Sequence, residues 1–341
     1  MKKFDCIIIG AGPAGIAASK IFEKNNINYC LIDKNKFPRE KLCGGGLTNK
    51  SVNLLKKLEL DYQKIDVNEV KNVLVVSKKI SKNVELNNSI KMVERKEFDY
   101  NNLKNLKNKN IFLNEKIIEI KENILKTDKN EYEFNYIIFA DGVNGFSRNL
   151  IKNRQLGFCV EYTIPNTSKE TILDFEAINQ GYGWIFPKKN STTIGLGNFN
   201  LERCDYIKVL DDFAKKYNFL IDKTKIKGYH IPIFSKEIYQ NSIVNDKYIL
   251  VGDAASLVDP ISGEGIYYAL FSGMSAAETI IDALNGNNLK ETYFSKTKNL
   301  CLSLEKRKRA SKIIYSKMGS SFIKMGLNNA NLLEKVKRVF G

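Results

Sequence analysis

The sequence predicts an α/β protein with a parallel sheet built from discontinuous segments, an inserted antiparallel β-sheet and a C-terminal helical tail. The apolar run 6–9 ends at glycine, a helical pattern follows to about Lys24, and a second apolar run spans 29–32. Strand, helix and strand in this order form a βαβ unit with two parallel strands. The later apolar runs 136–140 and 248–251 end in Gly/Asp turns, which predicts further buried strands of the same sheet.

Between these runs the pattern changes. Residues 73–77, 171–177 and 192–198 are β-branched or alternating, which predicts an antiparallel sheet with one covered face. Beyond about residue 285 the pattern is helical. The predicted division is a nucleotide-binding domain in three segments (1–72, 95–155 and 246–285), a substrate domain in two (73–94 and 156–245), and a basic helical C-terminal region (286–341).

Composition favours a globular protein of the cytoplasm. The chain is 43% hydrophobic and 27% charged, and it has no apolar stretch of about 18 residues, so we expect no membrane span. Asp5 interrupts the first apolar run, which we interpret as a strand and not a secretion signal. The scattered cysteines lack CxxC spacing and His230 is the only histidine, so we expect no metal centre and no disulfide framework.

Positive charge is concentrated at the C-terminus. The net charge is +16, and residues 287–341 contain 13 Lys/Arg against 3 Asp/Glu. Such a region suits an anionic membrane, a phosphorylated substrate or nucleic acid, and a solvated face is the alternative. No nucleic-acid module accompanies the charge, so we expect no nucleic-acid partner. The Lys-Arg-Lys-Arg run 306–309 is the candidate contact for diphosphate or membrane head groups.

A Gly-rich motif follows the first predicted strand. Gly10, Gly12 and Gly15 form GxGxxG between a strand and a helix, and Asp33 ends the second strand. The first glycine permits a tight turn, the second lets the backbone approach a pyrophosphate, and the third allows close packing of helix on strand. Asp33 would accept hydrogen bonds from an adenosine ribose and repel a 2′-phosphate. The motif therefore predicts a Rossmann-like domain that binds FAD or NAD rather than NADP.

Two later motifs distinguish FAD from NAD. The segment 140–148 resembles the DG segment of flavoproteins related to para-hydroxybenzoate hydroxylase, and 251–255 resembles their GD segment, which continues through 259–266 into a helix. Asp253 can accept hydrogen bonds from a ribityl chain. Gly263 and Gly265 let the backbone approach the isoalloxazine edge, where it would stabilise the negative charge of reduced flavin.

Within that superfamily the chain resembles geranylgeranyl reductases. Residues 39–47 match their Cys-Gly-Gly-Gly loop, and 182–187 followed by 195–197 match their YxWxFP…GxG signature. The resemblance implies that FAD contacts Ala14, Asp33, Cys43, Gly44, Gly46, Arg95, Ile117, Asp253, Gly265 and Ile266. The motifs themselves add Gly10, Gly12, Gly15, Arg39, Asp141 and Gly252 to the expected cofactor site.

The resemblance also implies the chemistry. Reduced flavin delivers hydride from N5 to one alkene carbon of an isoprenoid or lipid substrate, and a proton reaches the other carbon. Tyr182 and Cys43 are candidate proton donors, and Cys43 is alternatively a small neutral contact. The expected substrate-lining residues are Tyr182, Trp184, Phe186, Gly195 and Gly197, with ordinary sheet-core packing as the alternative for the aromatic rings.

Other activities stay open at this point. A flavin monooxygenase or halogenase acting on an aromatic substrate is the closest rival, since halogenases carry a related WxWxIP stretch. A non-catalytic flavin sensor is a further alternative, whereas an iron–sulfur electron-transfer flavoprotein would need clustered cysteines. Only one dinucleotide fingerprint is present, so NAD(P)H has no dedicated domain. The expected electron donor is therefore either NAD(P)H or a small redox protein. Peripheral membrane contact through the basic C-terminal region is left open.

Overall fold

Fifteen strands are assigned within the part of the chain that the computed structural model describes, residues 1–78, 80–165, 168–199, 204–316, 318–330, 333–334 and 337. In chain order the strands are β1 (Lys2–Ile9), β2 (Tyr29–Asp33), β3 (Gly46–Leu47), β4 (Val67–Ser77), β5 (Ile80–Val93), β6 (Ile111–Leu113), β7 (Ile117–Lys121), β8 (Ile124–Thr127), β9 (Glu131–Phe139), β10 (Leu156–Ile164), β11 (Ile172–Asp174), β12 (Gly181–Pro187), β13 (Thr192–Asn198), β14 (Lys227–Pro232) and β15 (Tyr248–Leu250).

Helices pack on both sheets and form the C-terminal region. They are α1 (Pro13–Lys24), α2 (Asn49–Lys57), α3 (Arg95–Lys104), α4 (Tyr206–Lys216), α5 (Lys236–Asn241), α6 (Ile266–Leu284), α7 (Leu289–Ile314) and α8 (Gly319–Asn328). Short 3₁₀ turns lie at Phe146–Leu150, Lys223–Lys225 and Gly252–Ala255.

The first sheet has the strand order β6-β2-β1-β9, and all of these neighbours are parallel. β15 pairs with the end of β9 in parallel, as the apolar runs predict. All five residues of β2 are buried, as is typical of an inner strand in a parallel sheet whose two faces are covered. β9 also continues through β8 to β7 in antiparallel pairing, so the sheet is mixed and not purely parallel.

The second sheet has the order β14-β10-β13-β12-β11-β4-β5-β3. Its other ladders are antiparallel, but β11 pairs with β4 in parallel, and in this respect the expectation of an antiparallel sheet is wrong. A strand pattern cannot specify strand direction. The expectation of one covered face is also wrong for the middle of this sheet, because all residues of β11 and β13 are buried. Strand β4 begins at Val67, before the predicted boundary at 73. A register shift at Val70/Asn72 interrupts the alternation of the strand, so the sequence pattern does not reveal its first residues.

The C-terminal helices pack on both cores. Tyr293, Leu300 and Leu304 of α7 are buried in the core of the first sheet. Leu327 of α8 belongs to the cluster on one face of the second sheet. The described part of this region is therefore a packed part of the fold.

Candidate functional site

Most of the predicted site residues line one pocket of about 730 Å³. It lies at the carboxyl ends of β1, β2, β9 and β15 and extends to the face of the second sheet, in agreement with the rule for open α/β sheets. The predicted residues on its wall are Gly10, Gly12, Ala14, Asp33, Arg39, Cys43, Gly44, Gly46, Arg95, Ile117, Asp141, Tyr182, Trp184, Phe186, Gly197, Gly252, Asp253, Gly265 and Ile266. Gly15 and Gly195 are not on this wall.

The three glycines of the first loop have different surroundings. Gly10 has φ +105°, and a Cβ there would lie 2.3 Å from the carbonyl oxygen of Ala140. A Cβ on Gly15 would lie 1.9 Å from the carbonyl oxygen of Gly10, so this glycine lets α1 pack closely on the turn. A Cβ on Gly12 would meet only Nη2 of Arg39, at 3.6 Å. The backbone at Gly12 therefore faces the open pocket, where a phosphate group could approach it.

Asp33 is held in place by the backbone around it. Its Oδ2 accepts a hydrogen bond from the amide of Ala11 at 2.8 Å, and its Oδ1 accepts one from the amide of Asn35 at 2.8 Å. The side chain is buried and lines the pocket. Nδ2 of Asn35 also donates to Oδ1 at 2.9 Å, so Oδ2 is the oxygen that can accept a further bond, and it suits a hydroxyl group of a ribose.

Two arginines share one buried carboxylate beside the pocket. Arg95 donates to both oxygens of Asp99 at 2.9 and 2.8 Å, and Nη2 of Arg39 lies 3.2 Å from Asp99 Oδ2. Nη1 of Arg39 is buried and has no hydrogen-bond partner among the described residues. Because the two guanidinium groups outweigh one carboxylate, the cluster keeps a positive charge and an unused donor at the pocket. These features fit an anionic ligand such as the pyrophosphate of FAD.

Arg154, which belongs to no recognised motif, joins the loop after β9 to the loop after β15. Asp141 accepts hydrogen bonds from the amide and hydroxyl of Ser147 at 2.9 and 2.6 Å, and burial raises the pKa of its carboxyl. Arg154 donates to the carbonyl oxygens of Val143 at 3.1 Å and Ala254 at 2.6 Å. Arg154 thus holds two pocket loops together, and no sequence pattern marks it.

The next pocket loop, 259–265, leads into α6. Gly263 has φ +69°, and Gly265 is the N-cap residue of α6. Glu264 is fixed by the N-terminal turn of α2, where Thr48 Oγ1 and Lys50 Nζ each lie 2.5 Å from one of its oxygens. Residues 262–266 line the pocket at the N-terminus of α6. The N-terminus of a helix favours negative charge on a ligand bound there.

The basic run 306–309 is partly engaged within the protein. Arg307 forms an ion pair with Asp259, whose side chain is fully buried. Arg309 pairs with Glu305 on the surface of α7, and Nη2 of Arg309 lies 2.7 Å from the carboxylate. Arg307 is therefore engaged in an internal ion pair, whereas the sequence suggested either a solvated face or a contact with head groups for this run.

The Cys-Gly-Gly-Gly loop rests on a buried glutamate. The amide of Cys43 donates to Oε1 of Glu161 at 3.1 Å, and the hydroxyl of Tyr229 donates to Oε2 at 3.3 Å. Burial raises the pKa of the Glu161 carboxyl. A Cβ on Gly44 would lie 2.7 Å from the ring of Phe186, so the loop and the aromatic wall touch. Glu161 was not identified from the sequence, since it lies in an ordinary strand pattern.

An aromatic wall lies on β12. Tyr182, Trp184 and Phe186 alternate along the strand and face the pocket. A Cβ on Gly195 would lie 2.3 Å from the indole of Trp184, so that glycine makes room for the ring. Gly197 similarly makes room for Cys159, since a Cβ there would lie 2.4 Å from its Sγ.

The Tyr182 hydroxyl donates to the carbonyl of Ser262, and burial raises its pKa. This hydroxyl therefore gives up its proton less readily than an exposed tyrosine does. Nearby, the amide of Gly45 donates to Sγ of Cys43 at 3.4 Å. Cys43 thus lies on the pocket wall with its sulfur already in contact with the loop.

No group of three or more His, Cys, Asp or Glu side chains in the described residues is placed to hold a metal ion. None of the helices found in the same residues has the length and apolar character needed to cross a bilayer.

Known proteins resemble the chain in sequence. No family model matches it. An uncharacterised protein of Methanosarcina barkeri is 37% identical over 302 residues, which cover 83% of this chain and 76% of that protein. The digeranylgeranylglycerophospholipid reductase 1 of Methanosphaera stadtmanae is 28% identical over 355 aligned positions, which cover 93% of this chain and 86% of that enzyme.

Solved structures resemble the chain in fold. A geranylgeranyl bacteriochlorophyll reductase-like protein of Thermoplasma acidophilum superposes with a TM-score of 0.77 at 20% identity, covering 100% of this chain and 92% of the other. A flavin-dependent brominase superposes with a TM-score of 0.81 at 17% identity, covering 99% and 93%. At these identities the likeness shows a shared mixed α/β fold alone.

Proposed function

The chain belongs to the geranylgeranyl reductase family of FAD-dependent oxidoreductases, and from this membership we propose that it reduces C=C bonds of an isoprenoid with FAD as its cofactor. The relative from Methanosphaera stadtmanae is named as a reductase of a digeranylgeranyl lipid. We therefore take the substrate to carry a geranylgeranyl-type chain.

The observation that carries the proposal is the division of the pocket into two kinds of wall. One wall has the open backbone at Gly12, the fixed carboxylate of Asp33 and the unused donor of Arg39. The other is apolar, with Trp184 and Phe186 next to aliphatic side chains of the second sheet. A dinucleotide suits the first wall and a prenyl chain suits the second.

In this proposal the residues bind, orient and exclude water. Bound reduced FAD supplies the hydride that is added to one alkene carbon. Gly12, Asp33 and Arg39 hold the cofactor, and the aromatic wall holds the prenyl chain against it and keeps water away. Cys43 and Tyr182 remain the proposed proton donors, and the hydrogen bond from Tyr182 to Ser262 makes Cys43 the first to test.

An anaerobic experiment tests the function. The purified protein is loaded with FAD, reduced with dithionite, and mixed with geranylgeranyl diphosphate or a geranylgeranylated lipid. We expect the flavin to reoxidise, and mass spectrometry should show a product heavier by two hydrogens for each reduced bond. Reoxidation by oxygen alone, with an unchanged prenyl substrate, would reject the proposal.

The same experiment addresses a second candidate function. The fold shared with the brominase keeps a flavin-dependent monooxygenase or halogenase acting on an aromatic substrate as the alternative. Rapid hydrogen peroxide release, or hydroxylated or halogenated product after oxygen is admitted, would favour it. The named reductases among the sequence relatives favour alkene reduction.

The electron donor is proposed to be NAD(P)H or a small redox protein, since one dinucleotide fingerprint is present and FAD would occupy it. The donor is identified by anaerobic mixing of the oxidised holoprotein with each candidate. Bleaching of the flavin absorbance by NADH or NADPH would identify the nicotinamide. Bleaching only with a reduced ferredoxin-type protein would identify the redox protein.

We also propose that the protein contacts a lipid surface peripherally through α8. Ile323 and Leu327 pack one face of this helix on the second sheet, whereas Phe322 and Met325 are exposed on the other. Lys324 lies beside them, and residues 306–333 contain no Asp or Glu. An exposed apolar strip in a stretch of sequence with Lys and Arg but no acidic residue suits an anionic bilayer surface.

A vesicle assay tests this contact. Phe322→Glu should lower sedimentation with phosphatidylglycerol-containing vesicles several-fold, because it removes apolar area and adds negative charge. Leu220→Glu, at an exposed leucine outside the C-terminal region, is the control and should sediment like the parent. Equal sedimentation of all three proteins would reject the lipid contact and leave alkene reduction untouched.

A further inference from the structure

The loop 259–265 is closed on itself by Asp259. Its Oδ1 accepts hydrogen bonds from the amides of Ile261 and Ser262 at 2.8 and 3.1 Å, and its carbonyl accepts one from the amide of Gly263 at 2.9 Å. Its own amide donates to the carbonyl of Glu264 at 2.9 Å. The position of this one side chain therefore determines where the pocket-facing peptide groups lie.

Two groups from α7 and its C-cap hold this turn from outside. Arg307 pairs with the buried Asp259 carboxylate, and the Tyr315 hydroxyl donates to the carbonyl of Ile261. The ring of Tyr315 packs on Phe199, with centroids 5.0 Å apart. Neither Arg307 nor Tyr315 lines the pocket. Arg307 can therefore act on a ligand through the loop, and the hydroxyl of Tyr315 acts through the same loop while its ring supports Phe199, which does line the pocket.

We infer that Arg307 and Tyr315 are positioning residues that fix the loop 259–265 against bound FAD from outside the pocket. The inference rests on the FAD binding of the proposed function. An ion pair at 259 and a hydrogen bond at 261 bracket the start of the loop, while Glu264 is held by α2. The N–H groups of Ser262, Gly263 and Glu264 already donate within the loop. The groups that the anchors hold against a ligand are therefore the peptide at Gly265 and the N-terminus of α6. Peptide N–H groups and a helix N-terminus stabilise the negative charge of a reduced flavin best when they are held rigidly.

The test is the midpoint potential of FAD in the reconstituted holoprotein, measured by equilibration with a reference dye without substrate. The variants are Arg307→Met, Arg307→Lys and Tyr315→Phe. Arg309→Met is the matched control, because Arg309 is 76% exposed on the same helix whereas Arg307 is 18% exposed. The visible spectrum and the FAD dissociation constant are recorded for each.

We expect Arg307→Met to weaken binding of reduced relative to oxidised FAD by about tenfold, a fall of about 30 mV for a two-electron couple. Arg307→Lys should recover at least half of this shift, Tyr315→Phe should show a smaller fall, and Arg309→Met should show none.

A parent-like potential and spectrum in folded Arg307→Met, or the same shift in Arg309→Met, would overturn the inference. If Arg307→Met does not fold, an unchanged potential in Tyr315→Phe overturns it instead. Because no isoprenoid is present, a protein with the expected shifts that reduces no alkene would contradict only the proposed reaction.

Discussion

Glycine is required at two neighbouring positions of the first pocket loop for opposite reasons. Gly12 has φ −84°, which any residue can adopt, and space for a side chain only on the pocket side. Gly15 has the carbonyl of Gly10 where a Cβ would be. One position is constrained by the ligand and the other by the fold.

This contrast gives the first prediction. Gly12→Val should keep the unfolding free energy of the apoprotein within about 0.5 kcal/mol and lose bound flavin. Gly15→Val should lose about 3 kcal/mol or more, because the chain must move to accept the side chain. Urea denaturation and the flavin absorbance of the purified proteins measure both. Full flavin content in Gly12→Val would contradict the pocket assignment.

Glu161 gives a pH-dependent prediction. Burial raises its pKa above the usual 4.5, so the folded state holds this proton more tightly than the unfolded state. The stabilisation is present below pH 4.5 and is lost as the pH rises through the folded pKa. Relative to Glu161→Gln, the parent should therefore lose stability from pH 4.5 upward, as measured by urea denaturation across pH.

An exposed glutamate provides the control for this experiment. Lys24 lowers the pKa of Glu59 by a hydrogen bond, so the stability that Glu59 contributes is lost as the pH falls. Glu59→Gln should accordingly change the profile in the opposite sense. Parallel pH profiles for the parent and Glu161→Gln would rule out a buried, proton-retaining carboxyl under the Cys43 loop.

Among the elements, the loops after β9 and β15 depend on Arg154. Arg154→Met removes two charged hydrogen bonds, to Val143 and Ala254, and should cost about 2 to 4 kcal/mol. We also expect weaker flavin binding, since both loops line the pocket. Lys152→Met, at an exposed position two residues away, should match the parent in denaturation and in flavin titration. A parent-like Arg154→Met would show that the loops are held without this residue.

The elements also show what sequence reasoning can reach. The span of α1, the strand before it, the tight turn at Gly10 and the close packing at Gly15 follow from short-range patterns, and the structure has α1 at Pro13–Lys24. Glu161 contacts Cys43 across 118 positions, and Arg154 contacts Ala254 across 100. Such pairs have no period or spacing of their own. The parallel pairing of β11 with β4 was missed for a related reason. The pattern of residues along a strand shows which side chains share a face, but it does not show the direction of the neighbouring strand.

For the whole molecule, FAD would link parts of the chain that are far apart in sequence. The pocket is lined by residues from Ile9 to Ala269, in both sheets and in the loops between them. A ligand that binds only this folded arrangement stabilises it by mass action. At a free FAD concentration of about 100 times its dissociation constant, the unfolding free energy should rise by about 2.7 kcal/mol. Thermal denaturation against FAD concentration measures this, and a midpoint independent of FAD would contradict it.

Trp184 is the only tryptophan of the chain, and it is buried in the pocket wall. Selective excitation of indole therefore makes the fluorescence of the whole protein report on one place. A yellow cofactor in the same pocket would accept energy from this ring, and a prenyl chain laid across it would change its surroundings. Cofactor loading and substrate entry can thus be followed in real time as two optical signals, without attaching a label.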